Sequence, residues 1–177
     1  MSSIATHLWF EKDAVEATRF YTEVIPNSRV ISVTDIPVDT PSGPAGSVPI
    51  IEFELDGAAF QAIGAGPLDP FNHAISIVVN CDSQAEIDRI WDALLDGGQA
   101  EQCGWLRDRW GLCWQIVPAK LGELMTGPGA KRVAEAMMQM VKFDIAALEA
   151  VARSEGRQAA AKASGMRKAA RRAVPKG

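Results

Sequence analysis

The feature that most constrains this chain is an internal repetition: the order strand, helix, three strands occurs twice within its first 118 residues. Ala5 to Phe10 (ATHLWF) is short, aromatic and compatible with a strand. A helical stretch follows from Asp13, with Val15, Ala17, Thr18, Tyr21, Val24 and Ile25 near one face. Asp13 with Glu16 three residues on has the spacing of a capping box. Arg29 to Ile36, Ile50 to Leu55 and Ala58 to Ile63 read as strands, with a Pro/Gly/Ser loop from Pro37 to Pro49 and a turn at Asp56-Gly57. After the break Gly64-Ala-Gly-Pro-Leu-Asp-Pro the order returns. Ala74 to Asn80 is a strand, and Ser83 with Glu86 opens a helix that buries Ile87, Ile90, Trp91, Leu94 and Leu95 and stops at Gly97-Gly98. Glu101 to Leu106 and Leu112 to Val117 complete the copy, with a turn at Arg107 to Arg109. Neither half has enough apolar partners to bury its own sheet face, so two half-sheets closing on one another, with a concave pocket, are expected.

The pattern then becomes purely helical. Ala130 to Met140 carries Val133, Met137, Met138 and Met140, with Val141 just beyond, and a further helix starts at Asp144, where Phe143 and Leu148 have the spacing of a hydrophobic staple. The Met stripe reads as core or interface packing. The fold class is therefore α+β, with paired βαβββ modules forming a curled mixed sheet, plus C-terminal helices. The boundaries are 1–66 for the first module, 67–118 for the second, 119–152 for the helical extension and 153–177 for a basic tail. The tail holds eight basic residues and one acid, net +7, which leaves −11 on residues 1–152 of a chain whose total is −4. Rich in Ala, Gly and Ser, it reads as a disordered or weakly helical extension, a solubilising or electrostatic tail in preference to a nucleic-acid or membrane-surface contact, and without interleaved aromatics it offers bases no stacking surface.

Composition narrows the classes further. No apolar run is long enough to span a membrane and the N-terminus has no secretory pattern, so a cytoplasmic location is expected. Cys81, Cys103 and Cys113 are odd in number and lack CxxC spacing, which suits a reducing compartment. Cys103 and Cys113 flank the last turn, a placement that permits a redox pair only if their geometry allows it. No G-x-S-x-G elbow is present for acyl transfer.

Several stretches carry a resemblance: Leu8-Trp9-Phe10, Ala14 to Tyr21, Phe53 to Gly57, Phe71 to Ser76, and above all Gln102-Cys-Gly-Trp-Leu-Arg-Asp and Trp114-Gln-Ile-Val-Pro118. With the doubled βαβββ order, they resemble the vicinal oxygen chelate superfamily, which includes glyoxalase I, bleomycin-resistance proteins and extradiol dioxygenases. More narrowly they resemble its PhnB-like subfamily, whose domain is often called 3-demethylubiquinone-9 3-methyltransferase. The resemblance implies a glyoxalase/bleomycin-resistance-like fold, a homodimer, and a divalent metal held on inward strand positions. The ligand positions it implies fall on Ala5, with His7 two residues later on the same strand face, on Ala74, with His73 one residue off, and on Gln115. The candidate ligand set is His7, Glu54 and Gln115, and the metal they would hold is the Lewis acid that stabilises a developing oxyanion.

Strand alternation gives a ligand pocket of His7, Trp9, Gln61, Cys113 and Gln115. Glu52 and Glu54 either join it as ligands or bases, or face water. The readings left open are a small-molecule-binding protein, a metal-dependent lyase, isomerase or dioxygenase-type enzyme, and a protein that sequesters an antibiotic or metabolite. Methyl transfer is not expected: Gly64-Ala-Gly66 follows a strand but runs into Pro67 and Pro70 instead of opening the helix that a methyl-donor site needs.

Overall fold

In the computed structural model of the chain, residues 4–153 are described. They contain two four-stranded mixed sheets with the same internal order. The first is built from β1 (Thr6–Phe10), β2 (Arg29–Asp35), β3 (Pro49–Leu55) and β4 (Ala58–Gly64), arranged β1-β4-β3-β2. The second comprises β5 (Ile77–Cys81), β6 (Gln99–Ala100), β7 (Trp105–Arg107) and β8 (Cys113–Pro118), arranged β5-β8-β7-β6. In each, the first strand runs parallel to the last, and a helix follows the first strand: α1 (Ala14–Val24) and α2 (Gln84–Leu95). This is the doubled βαβββ order expected from the sequence, followed by α3 (Leu121–Leu124), α4 (Ala130–Met137) and helical residues 145–153. Beyond Arg153, the basic tail and its expected disorder lie outside the described residues.

The chain forms two compact units. One contains the described residues up to Ser76 with Asp92–Gln99 and Arg107–Cys113, and the other contains Ile77–Trp91, Ala100–Leu106 and the described residues from Trp114. In the first unit, Leu8, Phe10, Ile51, Phe53, Leu55, Phe60 and Ala62 turn one sheet face inward, and α1 covers it with Ala14, Ala17, Tyr21 and Val24. Phe53 and Phe60, opposite one another across β3 and β4, stack at 5.3 Å. In the second unit the buried side chains include Ile87, Ile90, Leu106, Trp114, Ile116, Val133, Phe143 and Leu148. Each such side chain withdrawn from water contributes roughly 1.5–3 kcal/mol before ordering costs.

Local signals held where a side chain closes the backbone. The Ser83 hydroxyl accepts the Glu86 amide at 3.2 Å, and the Glu86 carboxylate accepts the Asp82 amide at 2.9 Å. Asp144 accepts the Ala147 amide at 2.9 Å, with Phe143 and Leu148 both buried beside this cap. Four expectations are corrected. Asp13 stands at the cap of α1, but its backbone is left-handed (φ 62°) and its side chain makes no capping bond, so the box with Glu16 does not form. The fifth strand starts at Ile77 instead of Ala74, because the Asn72 side chain accepts the Ala74 amide at 2.8 Å and turns the chain there. The expected strand from Glu101 to Leu106 is interrupted: Cys103 and Gly104 are left-handed (φ 59° and 78°), so a turn separates β6 from β7. The helix expected to reach Met140 ends at Met137.

Candidate functional site

The pleat of the first sheet decides which side chains are available to a ligand. Because Leu8 and Phe10 point into the core, His7 and Trp9 point to the opposite, open face. Strand register then lines up a row across four strands. His7 is opposite Gln61, Gln61 is opposite Glu52, and Glu52 is opposite Ser32. The row is hydrogen-bonded at its far end. Gln61 donates from Nε2 to Glu52 Oε1 at 3.4 Å, and the Ser32 hydroxyl donates to Glu52 Oε2 at 3.1 Å. His7, at its near end, is exposed. At a strand spacing of about 4.8 Å, the imidazole and the carboxylate stem from backbones roughly 10 Å apart, with the Gln61 amide between them. A ligand that meets both ends of the row must span about that distance.

Next to this row the face turns apolar. Trp9 is opposite Ile63, which is opposite Ile50. The Trp9 indole is fixed by donating from Nε1 to the Gly66 carbonyl at 2.9 Å. Trp9 also lines a cleft of about 380 Å³ with Phe71, Lys12, Arg109 and Trp110 among its other walls. The cleft's turn is organised from beneath by Asp108, a buried carboxylate. Its Oδ2 accepts the Tyr21 hydroxyl at 2.7 Å, and its Oδ1 accepts the amides of Trp110 and Leu112 at 2.9 and 3.1 Å. Burial, then the neighbouring Asp108 charge, raises the Tyr21 phenol well above its ordinary pKa. Arg109 lies 5.0 Å from the Phe20 ring centroid and 5.3 Å from that of Trp110, and its guanidinium pairs with Asp96 at 2.7 Å. Sequence reasoning did not single out Asp108, Tyr21 or Arg109 as a unit. The signal was present in the spacing of Asp108 and Gly111, first and fourth residues of a tight turn.

The expected pocket is thus distributed over both sheets. His7, Trp9 and Gln61 share the open face of the first. Gln115, half-buried, and Cys113, fully buried, are on β8 of the second. Glu52 belongs to the polar row. Glu54 is held by Arg29 at 2.9 Å, and it is displaced from His7 by two strands and two register positions, about 12 Å between backbones. Gln61 and Ser32 each donate to one oxygen of Glu52, which leaves a second lone pair on each. Among the described residues no three His, Cys, Asp or Glu side chains converge in a way that would hold a metal ion. On this face of the first sheet, His7 and Glu54 of the expected set stand apart, with Glu54 turned to Arg29. His73 lies in the irregular stretch before β5, outside any strand.

Two half-sheet modules of identical strand order, each with one face turned outward, define a glyoxalase-like α+β protein. Residues 2–117 match the family model described as 3-demethylubiquinone-9 3-methyltransferase, and the chain belongs to this PhnB-like family. It is similar to a PhnB protein of Bacillus cereus described as a putative 3-demethylubiquinone-9 3-methyltransferase. The two are 28% identical with a TM-score of 0.58, over 67% of this chain and 100% of that one. Protein PA1353 of Pseudomonas aeruginosa shares the fold at 23% identity and a TM-score of 0.51, over 67% of this chain and 98% of that one. So does the fosfomycin resistance protein FosX of Listeria monocytogenes, crystallised with Mn(II) and sulfate, at 15% identity and a TM-score of 0.51, over 71% of this chain and 99% of that one. No curated protein matches. Among the described residues no helix is long and apolar enough to cross a membrane.

Proposed function

We propose that this protein binds a small organic molecule carrying a carbonyl next to a hydroxyl, held against the open face of its first sheet. The observation that carries this reading is the row His7, Gln61, Glu52, Ser32. The Gln61 amide and the His7 ring offer N–H donors to a carbonyl oxygen. Glu52, each of whose oxygens keeps a lone pair beyond the bonds from Gln61 and Ser32, accepts a hydrogen bond from the neighbouring hydroxyl, and Trp9 supplies an adjoining stacking wall for the rest of the molecule. Cys113 and Gln115, the remaining members of the expected pocket, are assigned no part in this wall. Binding without turnover is the function these groups support directly. Methyl transfer is not proposed, since the chain after β4 passes through Ala65 and Gly66 into an irregular stretch and opens no helix.

The test is titration of the full chain with 2-hydroxyacetophenone, followed by tryptophan fluorescence and calorimetry. Saturable binding, weakened at least tenfold in Glu52→Gln and in Trp9→Leu, is the expected result. No saturable binding, or affinities unchanged in both variants, overturns the reading. The chain is also proposed to form a homodimer. Ile31 and Val33, 53% and 43% exposed, lie on β2, an edge strand, where unpaired backbone and apolar side chains favour a partner. A monomeric mass by light scattering at micromolar concentration contradicts this.

A further inference from the structure

We propose that Cys103 and Met138 form a binding site for one soft monovalent metal ion of the Cu(I) type, within the second unit and built from none of the residues of the sheet face described above. The Cys103 sulfur lies 3.8 Å from the Met138 sulfur. At metal–sulfur bonds of about 2.3 Å, two sulfurs at that separation subtend about 110° at a shared ion. A trigonal or tetrahedral centre accepts that angle. Thiolate and thioether are soft donors of the kind that bind Cu(I), whereas the hard divalent ions prefer oxygen.

The surrounding backbone places the two sulfurs together. Cys103 adopts a left-handed conformation (φ 59°) that costs a non-glycine residue energy, and the turn is held in it by two bonds to the segment after α4. The Cys103 amide donates to the Met140 carbonyl and the Gly104 amide to the Val141 carbonyl, both at 2.8 Å. Gly104 (φ 78°) permits this approach, because a Cβ there would fall 2.8 Å from the Ile116 carbonyl oxygen and against the Phe143 ring. The result is a thiol delivered to the last turn of α4, where its sulfur also lies 3.6 Å from the Met137 carbonyl oxygen. Both partners are reachable: Cys103 is half-buried and Met138 is 60% exposed, whereas Cys81 and Cys113 are buried. On binding, the Cys103 thiol releases its proton to solvent and the thiolate takes the ion. Met138 adds a neutral sulfur and no electron changes hands. A third coordination position stays open to an external ligand.

The experiment is competition of the full reduced chain against a chromophoric Cu(I) chelator under ascorbate, with native mass spectrometry for stoichiometry. One Cu(I) per chain is expected. Cys103→Ser should abolish it, Met138→Leu should weaken it at least tenfold, and Met125→Leu should leave it unchanged. Because Met138 is exposed, its replacement does not disturb the core, so the variant remains a folded test of the thioether. A Met138→Leu chain that binds as tightly as the parent reduces the site to a lone thiol and overturns the proposal. So does the absence of stoichiometric binding, or Zn(II) bound as tightly as Cu(I).

Discussion

The two sheets share a strand order but not a surface. On the first, β2, β3 and β4 are seven residues each, long enough to carry a polar row across four strands. On the second, β6 and β7 have two and three residues. Where Gln61 meets His7 and Glu52 in the first sheet, the equivalent Gln115 of the last strand meets Val78 in the second. Repetition of a fold therefore does not repeat its chemistry: burial constrains one face of each sheet, and the other face is free to diverge.

Differences of decreasing size test that comparison. The buried faces should behave alike. Phe53→Ala in the first unit and Trp114→Ala in the second each remove a fully buried ring, and each should cost about 3–5 kcal/mol by chemical denaturation. A much smaller loss in one would show that its sheet is not an independent core. Next, Tyr21→Phe should cost about 1–3 kcal/mol, since it leaves the buried Asp108 short of a donor. The same variant should change alkaline behaviour. The folded phenol ionises above its unfolded value near 10, so its contribution is complete below pH 10 and is lost as pH rises beyond it, by up to about 1.4 kcal/mol per unit. In Tyr21→Phe that part of the slope should vanish, and a slope unchanged above pH 10 contradicts the assignment. In the second unit, burial pushes the Cys81 thiol up to about 11. A thiol reagent at pH 8 should therefore modify Cys103 quickly and leave Cys81 and buried Cys113 until the chain unfolds; three fast thiols would contradict the burial. Smallest of all, Glu54→Gln removes a pair between half-buried Glu54 and exposed Arg29 and should shift stability by less than about 1 kcal/mol.

Legibility in the sequence followed the same division. Strand and helix periodicity exposed both modules, since core positions such as Phe53, Ile87 and Trp114 leave a regular spacing. Alternation also placed His7, Trp9 and Gln61 on one face. Glu52 stayed ambiguous, because an outward carboxylate on a strand looks the same whether or not register brings an amide beside it. Asp108 was not legible as an organising residue: Tyr21 lies far from it in sequence, and only the tertiary fold brings that hydroxyl to the carboxylate. The displaced start of β5 and the break at Cys103 were also hidden, one set by the Asn72 side chain and the other by a left-handed residue that carries no glycine signal of its own.

The central claim is that the open face of the first sheet, and not that of the second, is the ligand wall. The side-chain amide resonances of Gln61 and Gln115 and the indole resonance of Trp9 test it most directly, followed by nitrogen–proton correlation spectra during a 2-hydroxyacetophenone titration. Saturable shifts of Gln61 and Trp9 with Gln115 stationary are the expected result. Shifts confined to Gln115, or none at Gln61 and Trp9 at saturating ligand, would contradict it.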